Sequence, residues 1–475
     1  MHPVEAYLKE MNRIRSTGGH VPELSFYGPF ARLINAVGEE LSPAVHCINQ
    51  VADTGAGHPD AGLYADDQLQ DAGGREPLPG QIPARGVIEV KSPATPTQAT
   101  RTGEQVERYW SRYRQVLVTN YRQFVLIGQD ERGETARLET YSLADTEEKF
   151  WDQCRHPRRT ANEQGDRLLG FLRRVLLRPA PLSKPEDVAW FLASYAREAL
   201  ARIEGSDLPA LETLRKALEQ ALGMEFRGDR GEHFFESTLI QTLFYGVFSA
   251  WVLWSRELPP SDTGARFQWE LSAHHLRVPV MRKLFHEAAD PGQLDALGIS
   301  EVLGWGASAL NRVDRAEFFS AFEQEHAVQY FYEPFLENYD PELRKQLGVW
   351  YTPPEIVEYM VARVDRMLED ELGIEDGLAD ENVYVLDPCC GTGAYLVEVL
   401  ERIRGRLEEG GDDALIPNDL KTAAKDRVFG FEILPAPYVV SHLQFGLRVQ
   451  DLGVPLSDDE RVGVYHPDHS TICAF

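Results

Sequence analysis

The stretch Asp387-Pro388-Cys389-Cys390-Gly391-Thr392-Gly393 follows an apolar strand, Val383 to Leu386, and leads into a helix that opens at Ala394. A turn that leaves a strand sharply and brings its backbone N–H groups up to a ligand needs residues without a Cβ, and glycine supplies them. The turn lacks the third glycine of the dinucleotide fingerprint. It also lacks the Gly-Lys-Ser/Thr ending of a phosphate loop. A Rossmann-like sheet holding an adenosine-type nucleoside is the expectation that remains. Val428-Phe429-Gly430-Phe431-Glu432 reads as the next strand, 39 residues after Gly393, ending in a carboxylate placed to take both ribose hydroxyls.

Asp387…Gly393 followed by Glu432 resembles the S-adenosylmethionine site of adenine-specific (N6) DNA methyltransferases. Gly348-Val349-Trp350-Tyr351-Thr352-Pro353-Pro354, which precedes a helix, resembles the segment that closes over the methionine end of the cofactor in that family. The resemblance implies that Tyr351, Thr352, Pro353, Asp387, Pro388, Gly391, Gly393 and Glu432 bind S-adenosylmethionine.

Composition bounds the rest. A chain of 475 residues with 43% hydrophobic and 26% charged residues has the makeup of a soluble globular protein of two to four domains. Net charge is −27, the wrong sign for a protein that merely adheres to nucleic acid. Only nine of the 48 basic residues are lysine. Arg155 to Arg178 is locally basic, with seven arginines against Glu163 and Asp166, and reads equally as a DNA contact or a solvated helix face. The five cysteines show no metal-ligand spacing, which suits reduced thiols in the cytoplasm. No signal segment opens the sequence, and Thr238 to Trp254, carrying Gln241 and Thr242, is expected to be a buried core helix rather than a membrane span.

Near the N-terminus, Arg85 to Lys91 alternates as a half-buried strand, so Glu89 and Lys91 emerge on one face. Gly57 to Tyr64 forms another short strand with Asp60 at its mouth. Two carboxylates and a lysine at one sheet edge suit a Mg²⁺ hydrolytic site. The acids are hard oxygen ligands, and the lysine offsets charge growing on a phosphate. Asp60…Glu89-x-Lys91 resembles the PD-(D/E)XK nuclease core. Gln105 and Tyr109, an i, i+4 pair on the following helix, match the Gln-x-x-x-Tyr pattern of its RecB-like branch. The resemblance implies Asp60 and Glu89 as metal ligands, Lys91 and Gln105 as further catalytic residues, and Glu39 or Glu40 as an added acid. The stretch from Asp66 to Ala84, rich in Gly, Pro and Asp, reads as a mobile insertion over the site.

From about 155 to 345 apolar residues recur at three- and four-residue steps, for example over Asp166–Leu177, Lys184–Glu204, Ala210–Leu222 and Glu232–Glu257. The segments Ser237–Ala250 and Tyr330–Thr352 look like the lead-in to the methyltransferase of single-chain restriction–modification enzymes. The expected fold class is α/β: a PD-(D/E)XK nuclease-like α/β domain (1–154), an all-helical spacer (155–345) and a partial Rossmann-like methyltransferase domain (346–475). This order is similar to Type IIG enzymes, with kinship to Type ISP. It implies site-specific methylation of double-stranded DNA at adenine N6, with a fused Mg²⁺-dependent endonuclease and no membrane partner.

One part of the family pattern is missing. Adenine methyltransferases hold the flipped base with an Asn/Asp-Pro-Pro-Tyr/Phe loop, and no such tetrapeptide follows Glu432. After a third strand, Arg461 to Tyr465, come His466-Pro467-Asp468-His469 and a frayed tail to Phe475. The expectation is a C-terminally truncated methyltransferase whose first strand is an exposed apolar edge. Two alternatives stand beside it: a non-catalytic cofactor- and DNA-binding remnant, and one subunit of a split enzyme completed by a C-terminal methyltransferase and target-recognition chain. Methylation of RNA or protein stays open on the cofactor loop alone.

Overall fold

The computed structural model describes residues 1–19, 23–51, 55–70, 76–97, 104–129, 134–180, 182–204, 209–222, 228–259, 264–276, 285, 291–322, 327–340, 352–410, 416–451, 456–457 and 460–466. The chain divides into two compact units, Met1–Pro181 and Leu182–Phe475.

In the first unit, α1 (Pro3–Ser16) and α2 (Tyr27–Gly38) precede β1 (Val45–Asn49), β2 (Ala61–Ala65) and β3 (Val87–Val90). Then come α3 (Glu104–Tyr113), β4 (Val116–Thr119), β5 (Gln123–Gln129), β6 (Thr135–Ser142), α4 (Glu147–Arg155) and α5 (Asp166–Leu177), counting helices of eight residues or more. The six strands form one sheet in chain order. All neighbours are antiparallel except β3 and β4, which α3 joins as a parallel crossover.

Side chains alternate across the sheet, so β3, β4 and β5 each feed two cores. Ile88, Val90, Leu117 and Leu126 pack with Leu8, Phe30, Ile34 and Phe171 of the helices on one face. Val87, Val116, Val118 and Ile127 pack on the other face with Val106, Tyr109 and Tyr113 of α3.

The unit continues past the expected boundary at 154. Cys154, Leu168, Phe171, Leu172, Val175 and Leu176 lie in the same core as the sheet. Arg174 Nε donates to Glu139 Oε2 at 2.9 Å, both side chains almost fully buried. The helical pattern after 155 therefore begins as a cover for the sheet, not as a spacer. The basic stretch is largely neutralised within the fold. Arg155 pairs with Asp152 and Arg159 with Glu163, each at 2.8 Å, while Arg178 reaches Glu139 at 3.7 Å and Arg167 lies over the Tyr141 ring.

The stretch after Asp66 is also better held than expected. Buried Gln68 donates to the Ile82 carbonyl at 2.7 Å and accepts from the N–H groups of Ala65 and Ala84. Residues 71–75 lie outside the described residues.

The second unit opens with helices: α6 (Pro185–Ile203), α7 (Pro209–Leu222), α8 (Gly228–Glu257), α9 (Ile299–Leu310), α10 (Arg315–Phe322), α11 (Ala327–Tyr339) and α12 (Pro354–Asp370). Then follow β7 (Val385–Asp387), α13 (Ala394–Gly410), α14 (Ile416–Asp426), β8 (Val428–Phe431), α15 (Pro435–Asp451) and β9 (Val464–Tyr465). Among the described helices, His233–Glu257 alone is long and apolar enough to cross a membrane, and 94% of its most apolar window is buried inside the fold. Trp251 sits against Phe318 and Phe319, and Phe248 stacks on Phe331 at 3.6 Å between ring centroids. Those aromatics fill a core, as the sequence led us to expect of Thr238–Trp254.

The small sheet is parallel, in the order β7-β8-β9, with β7 at its edge. Tyr384 and Leu386 are 68% and 52% exposed there. Parallel sheets ordinarily bury both faces, and among the described residues no strand pairs with the outer side of β7.

Candidate functional site

The first site lies where β2 and β3 meet the entry to α2. Asp60 precedes β2, and its Oδ2 accepts the Val90 N–H at 2.7 Å. Its Oδ1 accepts the Tyr27 hydroxyl at 2.5 Å. Glu89 shares the α3-facing side of β3 with Val87, and Lys91 Nζ reaches Glu89 Oε1 at 2.5 Å. Asp60, Glu89 and Lys91 are thus brought together.

Glu89 is 2% exposed, and burial pushes its carboxyl up to about 7; the charge of Asp60 adds to this, while the Lys91 hydrogen bond opposes it. Burial works to lower the Lys91 ammonium, but Glu89, Glu23 and Asp60 outweigh it and the net direction is up.

Glu39 and Glu40 are exposed just beyond the C-terminal end of α2. The site is at the other end, twelve residues away, or about 18 Å of helix. The acid that reaches the site from this side is Glu23, whose charge acts on both Glu89 and Lys91. Sequence reasoning missed Glu23 and Tyr27 because neither lies in a spaced motif. Gln105 is on α3, and its side chain lies outside what the structure describes. Tyr109 is buried beneath Gly57, on the loop leading to Asp60.

Two carboxylates are a donor set suited to Mg²⁺, which keeps several waters and takes one or two protein carboxylates plus substrate phosphate. Among the described residues no three His, Cys, Asp or Glu side chains form a closed metal cage.

The second site is the turn after β7. Cys390 N–H donates to the Phe431 carbonyl at 2.9 Å and Gly393 N–H to the Cys390 carbonyl at 2.8 Å, which folds the turn back onto β8. Gly391 and Gly393 have φ of +55° and +89°. A Cβ on Gly393 would meet Ser441 of α15 at 3.1 Å, so close helix approach requires glycine there. A Cβ on Gly391 would point into open space, which leaves room for a ligand against that backbone.

Glu432 accepts Gly391 N–H at 3.0 Å through Oε2 and Leu434 N–H at 2.6 Å through Oε1. Its carboxylate is therefore a fastener of the turn as well as a candidate ribose acceptor. An ionised carboxylate offers about four lone-pair positions, so these amides leave it room to accept from a ligand. Burial raises the Glu432 carboxyl against the pull of those amides. Asp387 is likewise raised by burial and accepts the Cys389 N–H at 3.1 Å. Pro388 is exposed in the turn. These residues fit a neutral ribose better than a phosphate, because two carboxylates repel an anion.

Pro353 opens α12, its carbonyl accepting from Ile356 and Val357; Thr352 directly precedes it, and Tyr351 lies outside the described residues. Buried Asp365 of α12 accepts from Arg402 at 2.6 Å, from Arg406 at 2.9 Å and from Leu378 N–H at 2.8 Å. That cluster ties α12 to α13, so the Thr352–Pro353 entry and the glycine turn share one scaffold. Beyond β9, His466 bonds the Ile433 carbonyl at 2.8 Å, while Asp468 and His469 lie outside the described residues.

Residues 323–452 match the family described as N-6 DNA Methylase. No curated protein matches the chain. Among solved structures, a DrdV–DNA complex has 18% identity over 97% of this chain and 39% of that one, with a TM-score of 0.38. The ATP-dependent Type ISP restriction–modification enzyme LlaBIII bound to DNA has 16% identity over 60% and 17%, with a TM-score of 0.35. The type IIG restriction endonuclease BpuSI has 10% identity over 100% and 42%, with a TM-score of 0.27. The chain spans less than half the length of each of the three. The second unit thus carries an N-6 DNA methylase segment, and Asp387–Gly393 and Glu432 lie within it.

Proposed function

We propose that this chain is part of a restriction–modification enzyme that methylates adenine N6 in double-stranded DNA and carries a fused Mg²⁺-dependent endonuclease, acting in the cytoplasm. The observation that carries the reading is the bond from Gly391 N–H to Glu432, joining both halves of the cofactor signature inside the matched segment. Bound S-adenosylmethionine would supply an electrophilic methyl group. Gly391 would let the nucleoside approach the backbone, Glu432 would accept from its ribose, and Thr352 with Pro353 would flank its methionine end.

In the first unit, Asp60 and Glu89 would hold Mg²⁺. Lys91 would offset charge developing on the scissile phosphate. Burial suits this arrangement, since a divalent cation relieves the repulsion between Asp60 and Glu89.

The unpaired outer side of β7 among the described residues favours a second reading: a partner chain adds a strand there and supplies the adenine-binding loop. The chain alone would then bind cofactor without transferring methyl groups. One assay separates the two readings. The purified chain is incubated with labelled S-adenosylmethionine and DNA, with and without Mg²⁺. Label entering DNA would show that this chain completes the transfer unaided and would overturn the expectation of a truncated methyltransferase; binding without transfer supports a chain that lacks the adenine-binding loop, whether a remnant or one subunit of a split enzyme. Absence of cofactor binding by folded protein overturns both.

A further inference from the structure

Asp60 is held in a way the nuclease-like motif does not specify. Its two oxygens have different partners: Oδ2 takes the Val90 N–H, and Oδ1 takes the Tyr27 hydroxyl. The first partner is backbone and fixed by the sheet. The second is a side chain 33 residues away, on the first turn of α2.

Tyr27 is itself immobilised from below. Phe26, fully buried, packs edge-on to Tyr121 at 5.6 Å and against Trp151 at 5.6 Å. Phe30, one turn on, packs against Tyr121 at 5.9 Å and Phe124 at 6.1 Å. The Tyr121 hydroxyl donates to the Glu23 carbonyl, and the Tyr7 hydroxyl to the Tyr121 carbonyl at 2.9 Å. These contacts lock the segment Glu23–Tyr27 onto the sheet. Tyr27 is itself partly buried against the same core, so its hydroxyl is offered to Asp60 from an anchored segment.

We propose that Tyr27 is a positioning residue of the candidate divalent-cation site: its hydroxyl, with the Val90 N–H, fixes the Asp60 carboxylate so that the remaining lone pairs face the Glu89 side of the site. This rests on the reading of Asp60 and Glu89 as metal ligands. A carboxylate held by two donors has given up its rotation before the cation arrives, whereas one held only by Val90 N–H has not. Partners that orient metal ligands typically change metal affinity by about 10- to 100-fold when removed.

The test uses the full chain and Mn²⁺ alone as the probe, titrated calorimetrically into parent, Tyr27→Phe and Asp60→Asn proteins. Tyr27→Phe keeps the ring and its packing. The expected result is about 10- to 100-fold weaker Mn²⁺ affinity for Tyr27→Phe, loss of the site in Asp60→Asn, and an unchanged thermal midpoint for Tyr27→Phe. DNA cleavage by Tyr27→Phe should return toward parent rates at saturating Mn²⁺, since the defect lies in loading the cation. Parent-like affinity in Tyr27→Phe, with the site lost in Asp60→Asn, overturns the positioning role and leaves the metal site standing. A lowered midpoint with unchanged affinity also overturns it, assigning the hydroxyl to the fold. No Mn²⁺ binding by the parent overturns the metal site itself and this proposal with it.

Discussion

Glu89 and Glu432 invite comparison. Glu89 lies within β3 and Glu432 directly follows β8, both strands pair in parallel with a neighbour, and each carboxyl is less than a tenth exposed and raised by burial. Their surroundings differ. Glu89 faces a lysine and a second carboxylate, an arrangement that changes with any cation brought to it. Glu432 faces backbone amides, which are fixed dipoles that bring no net charge and cannot be titrated away. Near-equal burial thus produces a charge-balanced site in the first unit and a geometry-fixing carboxylate in the second. The first should respond to cations and charge reversal, the second to the shape of the turn.

The sharpest way to break this contrast is Lys91→Ala. Lys91 is partly exposed, so its loss should leave the fold intact while Mg²⁺-dependent DNA cleavage falls by at least about 10²- to 10³-fold. Unchanged cleavage would remove the hydrolytic assignment.

Acidification should then separate the units. Glu89 lies at about 7 in the fold against 4.5 for an ordinary glutamate, so its burial penalty is present above pH 7 and relieved as pH falls toward 4.5. His442 behaves oppositely. It is buried, its Nε2 lies 2.9 Å from the Val464 carbonyl, and burial lowers it from 6.5 to about 4. Its stabilising contribution is complete above pH 6.5 and lost as pH falls toward 4. Each swing amounts to roughly 3 kcal/mol. Calorimetric unfolding at pH 7.5 and 5 should show the second unit losing stability relative to the first. Replacing Glu89 with Gln should remove the first unit's share of the difference, and a change in the same direction for both units would refute the assignment.

Gly393→Ala tests the turn. At φ +89°, with Ser441 3.1 Å from the added Cβ, the cost should be about 1–3 kcal/mol, read as a lower unfolding midpoint of the second unit together with weaker S-adenosylmethionine binding. Mn²⁺ binding at Asp60 should not change. A fully stable Gly393→Ala protein would mean that α15 yields and the turn is not shape-limited.

What could be read from the sequence follows from the range of the interactions involved. Glu89 and Lys91 share a face because a strand alternates every two residues, and Asp387 to Gly393 bends because its glycines are local; both are legible within ten residues. Asp166–Leu177 was legible as a helix from its apolar spacing, down to its end residues. Its membership of the first unit was not, because that depends on Arg174 meeting Glu139 across 35 positions. The resemblance to the nuclease core points to Glu39 or Glu40 as an added acid, yet the end of α2 that meets Asp60 is decided by Phe26 and Phe30 packing on Tyr121, which no local pattern encodes. Gln68 is a similar case: one buried amide orders a stretch whose composition reads as loose.

Glu432→Gln gives the smallest effect and the most discriminating one. Both Glu432 oxygens accept backbone N–H groups, from Gly391 and Leu434. A glutamine keeps one acceptor oxygen and places an NH₂ where the other was, so one amide faces a donor and loses its partner. The size of the side chain hardly changes, and so the turn keeps its space while losing half its fastening. If Glu432 holds the turn and also accepts from the ribose, nucleoside affinity should fall about tenfold, a little over 1 kcal/mol, measured by calorimetry with S-adenosylmethionine. Because amide dipoles rather than a cation balance this carboxylate, the loss should be nearly independent of ionic strength; the Lys91→Ala defect, in contrast, should change with salt. A Glu432→Gln protein with parent affinity and a lowered unfolding midpoint would reduce Glu432 to a structural clasp and leave the ribose without its acceptor.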